Sequence, residues 1–365
     1  MRRGRRRRRL VALALVLAAG AAGCAGGGAG ADVRELTFLG FQTGGFREQY
    51  EQAVLGPFER EHPGVKVTFY GVRNSATELA VLRAHKGQDS PPPADVTLID
   101  LSVAKIARDE GLFEEIRRDR VPNGEDVGPV GTELGWHGLP VTYDTLTLLY
   151  DPRAVAPAPT SWNDLWNPAY RGRLAIPAEG GGDIQAIALT IVANRLAGHE
   201  DYLADPGPGV GKLTALAPGV QTWEPKPDAY TLVVNGTAAM AIGWNARSQL
   251  HVGQAPGRIA AVTPKEGTVA QVNVLSVVAG TRQRDLAEAF VNYALSPEVQ
   301  ARFSSAMPYA PTNRAVQLDA PVAGRIPLFD PAERERLIPV DWLAVGEARE
   351  RFLEPWRRTI IPASR

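Results

Sequence analysis

The segment that looks most like a catalytic motif is the glycine-rich run at residues 207–213, GPGVGKL. It resembles a phosphate-binding loop, but its glycines stand one residue too close together and no Ser or Thr follows Lys212 to hold magnesium. We therefore interpret the run as a surface turn. The sequence also lacks the Gly-x-Ser-x-Gly, His-Glu-x-x-His and dinucleotide-binding patterns. Nothing in it supports an enzymatic activity, and we expect no catalytic residues, although an extracytoplasmic enzyme stays open as the alternative from another functional class.

The spacing of the histidines, the number of cysteines and the charge balance exclude further classes of protein. The five histidines are scattered without metal-ligand spacing, and a single cysteine excludes an intramolecular disulfide. Seven of the 40 basic residues fall within the first nine positions, and the remaining 33 face 40 acidic residues. A nucleic-acid-binding protein should show a basic excess instead. We expect no metal, no cofactor and no nucleic-acid partner.

The N-terminus has the pattern of an export signal. After the arginines comes a run of 13 apolar or small residues at 10–22. Such a helix rises about 20 Å, short of the ~30 Å hydrocarbon core of a bilayer, which favours a signal peptide over a membrane span. Cys24 resembles the lipidated cysteine of bacterial lipoproteins, although Ala21 stands where leucine is usual. We predict a signal peptide at 1–23 and a lipid-anchored flexible tether at 24–33, with an ordinary secretory signal as the alternative.

Hydrophobic periodicity predicts an α/β fold. Phe46, Tyr50, Val54 and Phe58 recur every four residues, which predicts an amphipathic helix, and a strand with alternating residues follows from Val65. Further strands are predicted at 94–100, 139–150, 174–176, 238–244 and 272–278, and further helices at 103–112, 183–196, 282–295 and 343–358. Helices that alternate with short apolar strands are typical of an α/β fold with mostly parallel strands.

Five separated segments carry a family resemblance. They read LYDPRAVAPAPTSWNDLWNPAYRGRLAIP at 149–177, AAMAIGWN at 238–245, PKEG at 264–267, LAEAFVNYALSPEVQARF at 286–303 and PYAPTN at 308–313. In this order and spacing the chain resembles the substrate-binding proteins of ABC importers, and most closely the branch of the polyamine-binding and ferric-ion-binding proteins. The resemblance extends from about residue 35 to the C-terminus.

The resemblance implies a two-lobed periplasmic-binding-protein-like fold with crossover strands, in which the lobes close over a ligand in the cleft. Lobe 1 would comprise residues 34–141 and 273–316, and lobe 2 residues 142–272 and 317–365. It also implies a monomer, held outside the cell membrane, that passes a small organic solute to an ABC permease and ATPase. A polyamine or related organic amine is the first expectation for that solute.

In the polyamine-binding branch, aromatic side chains enclose the amine and carboxylates stand at its ends. An ammonium group is attracted to the face of an aromatic ring, and a carboxylate neutralises it. By motif position Trp244 and Tyr309 match two of the aromatic residues, although each could be a core or hinge residue. Gln271 and Asn273 stand where the branch has tryptophan and aspartate, which argues against a polyamine. Trp342 could restore an aromatic wall or lie buried between the lobes.

The loop AEGGGD at 178–183 has two interpretations. Glu179 and Asp183 could pair with amines, or Asp183 could cap the helix that follows. Three glycines before a helix N-terminus also expose backbone N–H groups that suit a phosphonate or carboxylate. An anionic solute is therefore the competing prediction.

Polar residues after other strands complete the predicted ligand-binding set: Thr43, Asn74, Ser75, Asp100, Tyr143 and Asn245. The first three precede helices and can donate hydrogen bonds, while Asp100 ends a strand, where clefts form in such sheets. Asp100 could equally be a turn residue. The adjacent tyrosines of the ferric-ion pattern are absent after Trp244, so we expect no iron.

We expect Cys24 to be lipidated and to form the mature N-terminus. Mass spectrometry of the membrane fraction should find lipid-modified Cys24 with no residue before it. An unmodified Cys24, or an N-terminus at another residue, would contradict this prediction.

Overall fold

The computed structural model describes residues 33–42, 44–129, 131–179 and 183–364. The predicted signal peptide, Cys24 and nearly all of the predicted tether lie outside the described residues. Ten strands are formed within the described ranges: β1 Arg34–Phe41, β2 Val65–Val72, β3 Val96–Asp100, β4 Leu139–Tyr150, β5 Leu174–Ala175, β6 Val220–Thr222, β7 Met240–Trp244, β8 Ala260–Val262, β9 Ala270–Val277 and β10 Ala310–Pro311.

Helices connect most of the strands. The α-helices of the described residues are α1 Phe46–Tyr50, α2 Gly56–Glu61, α3 Ser75–His85, α4 Leu101–Asp109, α5 Asp183–Leu196, α6 Gly207–Leu216, α7 Ala229–Val234, α8 Asn245–Gln254, α9 Arg284–Ala294, α10 Pro297–Ala306, α11 Ala320–Ala323, α12 Pro331–Glu335, α13 Trp342–Glu347 and α14 Arg349–Pro355. Short 3₁₀ segments lie at Arg118–Arg120, Pro122–Asp126, Thr132–His137, Trp162–Trp166, Pro168–Tyr170, Ala217–Gly219, Pro327–Phe329 and Pro362–Ser364. Two π-helical segments, Glu51–Leu55 and Trp356–Ile360, continue helices without a break in the chain direction.

The sheet follows the order β2-β1-β3-β9-β4-β7-β5-β6, with β8 and β10 both paired to β4. The pairs β1–β2, β1–β3, β5–β6 and β5–β7 are parallel. All pairs that involve β4 or β9 are antiparallel. The fold is therefore α/β as predicted, but the prediction of mostly parallel strands was wrong, because the two long central strands run against their neighbours.

Strand β4 joins the two parts of the sheet. Its residues up to Thr145 pair with β9 and β10, whereas from Leu146 onward they pair with β7 and β8. Eight of its twelve side chains are apolar or tyrosine and ten are buried, which matches a strand covered on both faces. Since one strand serves both parts, its central residues lie where the two parts meet.

The glycine-rich run at 207–213 begins α6 and is not a surface turn, so that interpretation was wrong. Pro208 occupies the first turn, where a missing N–H costs nothing. A Cβ on Gly209 would lie 2.7 Å from the carbonyl oxygen of Thr190, and the Gly209 N–H donates to Asn194 Oδ1 over 2.9 Å. The small residues are needed because α6 packs closely against α5.

The helix predicted at 343–358 is divided into three parts. α13 and α14 are separated at Ala348, whose ψ of 10° breaks the helical path, and Pro355 precedes the π-helical segment. α13 packs on α4: a Cβ on Gly346 would lie 2.5 Å from the carbonyl oxygen of Ser102. Beyond α14, Trp356 Nε1 donates to Thr190 Oγ1 of α5 over 2.9 Å. The C-terminal segment therefore contacts helices from both parts of the molecule.

We expect Gly346→Ala to destabilise the protein by about 1–3 kcal/mol, because the added methyl group collides with the backbone of α4. Gly211→Ala is the matched control, since a Cβ on Gly211 of α6 meets no atom within 4 Å. This control should stabilise the fold by about 0.4–1 kcal/mol. Urea unfolding of both variants measures the difference, and equal effects would contradict the packing described.

Candidate functional site

A cavity of about 380 Å³ opens where strand ends from both parts of the sheet meet. The part of the sheet that contains β1, β2 and β3 is called the β1 side, and it lines the cavity with residues at or just after the ends of these strands. The part that contains β5, β6 and β7 is called the β7 side, and it contributes residues after β5 and β6, residues of α7 and the end of β7. Its polar and aromatic lining comprises Phe41, Gln42, Arg73, Asn74, Asp100, Glu179, Gln185, Glu224, Lys226, Asp228, Tyr230, Trp244, Arg247 and Gln271. Clefts of α/β sheets form at the carboxyl ends of strands in this way.

Arg247 is the buried cation of the cavity. The residue is 9% exposed and lines the cavity, with the guanidinium 5.7 Å from the ring centre of Phe41. Within the described residues it forms no hydrogen bond and no ion pair, and its Nε is buried without a partner. A guanidinium offers five donors and no acceptor. The site is therefore built to receive an anionic group.

The turn after β1 packs against the stem of Arg247. Gly44 has φ +63°, a conformation that favours glycine, and a Cβ there would lie 2.5 Å from Arg247 Cδ. Gly45, with φ +77°, approaches Leu250 of α8 in the same manner. These two glycines let the β1 side come close enough to enclose the guanidinium.

Asp144 fixes the start of α8. Its Oδ1 accepts the N–H of Ala246 over 3.1 Å and that of Thr145 over 2.9 Å. Burial raises the pKa of Asp144 to about 7, although these N–H groups and the charge of Arg247 oppose the increase. The carboxyl group thus anchors the first turn of α8, which carries Arg247 one turn after Trp244.

Hydrogen-bond acceptors, in contrast to the donors of Arg247, also line this cavity. Asp100 is 7% exposed, and the oxygens Oε1 of Gln271 and Gln185 are buried with no hydrogen-bond partner in the described chain. Burial raises the pKa of Asp100, whereas Ser75 and the guanidinium groups of Arg349 and Arg247 act to lower it. A carboxylate with nearby orphaned acceptors suits a ligand that donates hydrogen bonds, such as an ammonium group.

Trp244 belongs to both the core and the cavity wall. It is 1% exposed and packs within a large apolar cluster, yet it lines the cavity at the end of β7. Its backbone N–H donates to Tyr230 Oη over 2.8 Å, and Tyr230 also lines the cavity. The two aromatic residues form an apolar wall beside the polar groups.

Charged side chains stand at the mouth. Arg73, which follows β2, lies 3.5 Å from Glu224, which follows β6, and Lys226 lies 3.3 Å from the same carboxylate. The first pair connects the two parts of the molecule across the opening. These groups are 36–74% exposed, so each pair contributes at most about 1 kcal/mol.

The cavity brings together five of the predicted ligand-binding residues: Asn74, Asp100, Glu179, Trp244 and Gln271. Ser75 lies immediately behind it, with Oγ accepting the N–H of Asp100 over 2.9 Å. Asp183 is the first residue of α5, and its carboxylate pairs with Arg349 at 2.9 Å. Thr43 and the three glycines at 180–182 lie outside the described residues.

Five other predicted residues do not line this cavity. Asn245 donates to the carbonyl of Arg325 over 2.8 Å, and Asn273 donates to Thr142 Oγ1 over 3.0 Å. Tyr309 stacks on Phe303 within the core, and Trp342 Nε1 donates to the carbonyl of Ala270 over 2.7 Å. Tyr143 is half-buried with its hydroxyl near Gly128.

Sequence reasoning missed Arg247, Gln185 and Tyr230. Arg247 stands just after β7, in the stretch where the adjacent tyrosines of the ferric-ion pattern are absent. Its position three residues after Trp244, in the first turn of a helix that follows a strand, is the signal that could have found it. Gln185 and Tyr230 stand in helices with no distinguishing pattern.

The part of the chain that the structure describes has no helix long and apolar enough to cross a bilayer. Within the same residues no group of three His, Cys, Asp or Glu side chains is placed to hold a metal ion.

Comparison with known proteins identifies the family. Residues 53–327 match the model of the bacterial extracellular solute-binding proteins, and the chain belongs to this family. It is 28% identical over 350 residues to a γ-aminobutyric acid-binding protein of Pseudomonas aeruginosa, a match that covers 90% of this chain and 92% of the relative. It is 24% identical over 297 residues to the spermidine/putrescine-binding periplasmic protein of Escherichia coli, covering 78% and 82%.

Solved structures agree on the fold. A periplasmic binding protein from A. tumefaciens B6, in complex with glucopine, superposes with a TM-score of 0.74 at 18% identity and covers 91% of this chain and 100% of its own. The two-lobed periplasmic-binding-protein fold expected from the sequence is thereby confirmed. Proteins of this kind bind small solutes and work with an ABC permease and ATPase, and they are not enzymes.

We expect stability to fall as pH rises, because Asp144 has a higher pKa in the folded chain than in the unfolded one. The stabilising contribution is fully present below about pH 4 and is lost as pH rises through about 7, because over this range the folded chain keeps a proton that the unfolded chain releases. The contribution of Asp144 to the free energy of unfolding should fall by roughly 2–4 kcal/mol over this range. Urea unfolding at pH 5 and pH 8 measures it.

Asp144→Asn should show a smaller fall than the wild type between the two pH values. Asp119→Asn is the control, since Asp119 has an 81% exposed side chain, and it should behave like the wild type. An unchanged pH dependence in Asp144→Asn would show that this carboxyl group does not carry the effect.

Proposed function

We propose that this protein is the receptor of an ABC importer for a small organic amine that also carries a carboxylate, such as an ω-amino acid. The observation that carries the proposal is that one cavity contains both unpartnered hydrogen-bond donors and unpartnered acceptors. The donors of Arg247 lack a partner, while Asp100 and Gln271 present acceptors. A zwitterion with separated charges satisfies both ends.

A diamine fits this cavity less well. It would place a second ammonium group near the buried guanidinium of Arg247, where like charges repel strongly because little water screens them. The acid that the resemblance expects near Asn273 is also missing. We therefore prefer an amino acid to the polyamine that the resemblance first suggests.

The comparisons support this choice of solute. A relative that aligns over almost the whole chain is named as a γ-aminobutyric acid-binding protein, and other relatives are named as polyamine-binding proteins. γ-Aminobutyric acid carries one ammonium and one carboxylate group on a short apolar chain. Trp244 and Tyr230 provide an apolar wall for such a chain.

We propose that the ligand is enclosed by movement of the predicted lobes, residues 34–141 with 273–316 and residues 142–272 with 317–365. The change of partners along β4 and the ion pair between Arg73 and Glu224 support this arrangement. The same proposal includes a lipid on Cys24 that anchors the protein to the outer side of the cell membrane.

A purely anionic solute is the second candidate, and Arg247 is the observation that favours it. A solute without an amine, however, leaves the acceptors of Asp100 and Gln271 without a hydrogen-bond donor. Butyrate, which lacks the amine of γ-aminobutyric acid, distinguishes the two candidates in a binding assay.

We expect Arg247→Met to lower the affinity for γ-aminobutyric acid by at least about 30-fold. Methionine keeps much of the apolar stem but removes the charge, and loss of one partner of a buried charge pair costs about 2–5 kcal/mol. Isothermal titration calorimetry of purified protein measures the affinity. Butylamine, which has no carboxylate, should lose little affinity by the same substitution.

Arg358→Met is the matched control, because Arg358 has a 78% exposed side chain and does not line the cavity. It should bind like the wild type. Wild-type affinity in Arg247→Met, with a normal melting temperature, would refute the assignment of Arg247 to the ligand carboxylate.

A further inference from the structure

Glu78 is a buried carboxyl group to which the proposed function gives no role. It is 0% exposed in the first turn of α3, and neither of its carboxyl oxygens has a hydrogen-bond partner among the described residues. An ionised carboxylate without a partner is costly to bury. Burial therefore raises the pKa of Glu78 well above its usual range, and the charge of Asp100 adds to the increase, whereas the Ser75 side chain acts to lower it.

The first turn of α3 connects Glu78 to the cavity. Ser75 Oγ accepts the N–H of Asp100, which places this turn directly against the end of β3. Ser75 and Glu78 are three residues apart and lie on one face of the helix. Glu78 therefore lies behind Asp100, whose carboxyl group lines the cavity.

The surrounding charges favour one negative charge at this end of the cleft. Arg349 and Arg247 favour the ionised form of Asp100, while Asp183 opposes it. The other charged side chains of α3 and α4 that form ion pairs do so away from Glu78, with partners that are at least one-third exposed: Arg83 with Glu110, Lys105 with Asp109 and Glu347, and Arg108 with Asp109. Two neighbouring buried carboxyl groups titrate as a pair, since ionisation of one hinders that of the other.

We propose that Glu78 is a positioning residue that acts through Asp100: the two carboxyl groups together hold one proton in the empty cleft, and the ligand's ammonium group releases that proton to solvent when it binds at Asp100. No covalent bond between heavy atoms forms or breaks. The proton passes to the buffer, and the positive charge of the ammonium group takes its place. The inference rests on the proposed function because it needs an ammonium group in the cavity.

The shared proton can be tested without a ligand. Protein labelled with ¹³C at glutamate carboxyl groups is titrated by NMR from pH 5 to pH 9. The wild type should show one glutamate that titrates well above the others, and Glu78→Gln should lack this resonance. Glu298→Gln is the control, since Glu298 also stands in the first turn of a helix but is exposed. Absence of a high-titrating glutamate in the wild type would overturn the proposal.

Proton release is measured by calorimetry of γ-aminobutyric acid binding in two buffers of different ionisation enthalpy. At a pH where the pair is half-titrated, wild-type protein and Glu298→Gln should release a substantial fraction of one proton per ligand, and affinity should rise with pH by up to tenfold per unit. Glu78→Gln should release almost none and show a flatter pH profile. No release by the wild type, or equal release by Glu78→Gln, would overturn the inference.

Failure of the two proposals can be told apart. If the wild type binds neither γ-aminobutyric acid nor other ω-amino acids, the proposed function fails, and the NMR titration alone then decides whether the two carboxyl groups share a proton. If the wild type binds but releases no proton, the proposed function stands and the role of Glu78 is refuted.

Discussion

A guanidinium group that is buried without a hydrogen-bonding partner is stable only if the rest of the structure compensates for it. Arg247 is in this position, and the parts of the cleft are arranged around it. Asp144 anchors the helix that carries it, and Gly44 allows the chain after β1 to pack on its stem. β4, which contributes Asp144, is also the strand that joins both parts of the sheet. The cleft thus has a permanently positive end that a ligand carboxylate can complete.

The negative end has a different origin. Asp100 closes β3 and is placed by the first turn of α3, so its position depends on the β1 side alone. Arg247 is carried by α8, directly after a strand of the β7 side. A zwitterion that contacts both residues therefore bridges the two parts of the molecule. The specificity for a solute is therefore linked to closure of the cleft, because a ligand with only one of the two charges leaves either Asp100 or Arg247 without a partner.

Much of the fold could be predicted because its strands are strongly apolar and bounded by clear breaks. β4 and α5 begin and end at the predicted residues. α6 was missed because its Gly-Pro-Gly start favours a turn locally, whereas close packing on α5 decides its structure. In the cleft, Asp100 was predicted from its place at the end of a strand, and Trp244 from its motif position. Arg247 was not, because its place in the first turn after β7 marks it only as a candidate, and its burial without a hydrogen-bonding partner is a property of the folded molecule.

The central claim is that one cleft needs both an ammonium and a carboxylate group. The most direct measurement compares the thermal stabilisation of the protein by γ-aminobutyric acid, putrescine and butyrate at one concentration. These three probes share a four-carbon chain and differ only in their end groups. γ-Aminobutyric acid at 100 times its Kd should raise the free energy of unfolding by roughly 2.7 kcal/mol, with much smaller effects of the other two. Equal or greater stabilisation by putrescine or by butyrate would contradict the account.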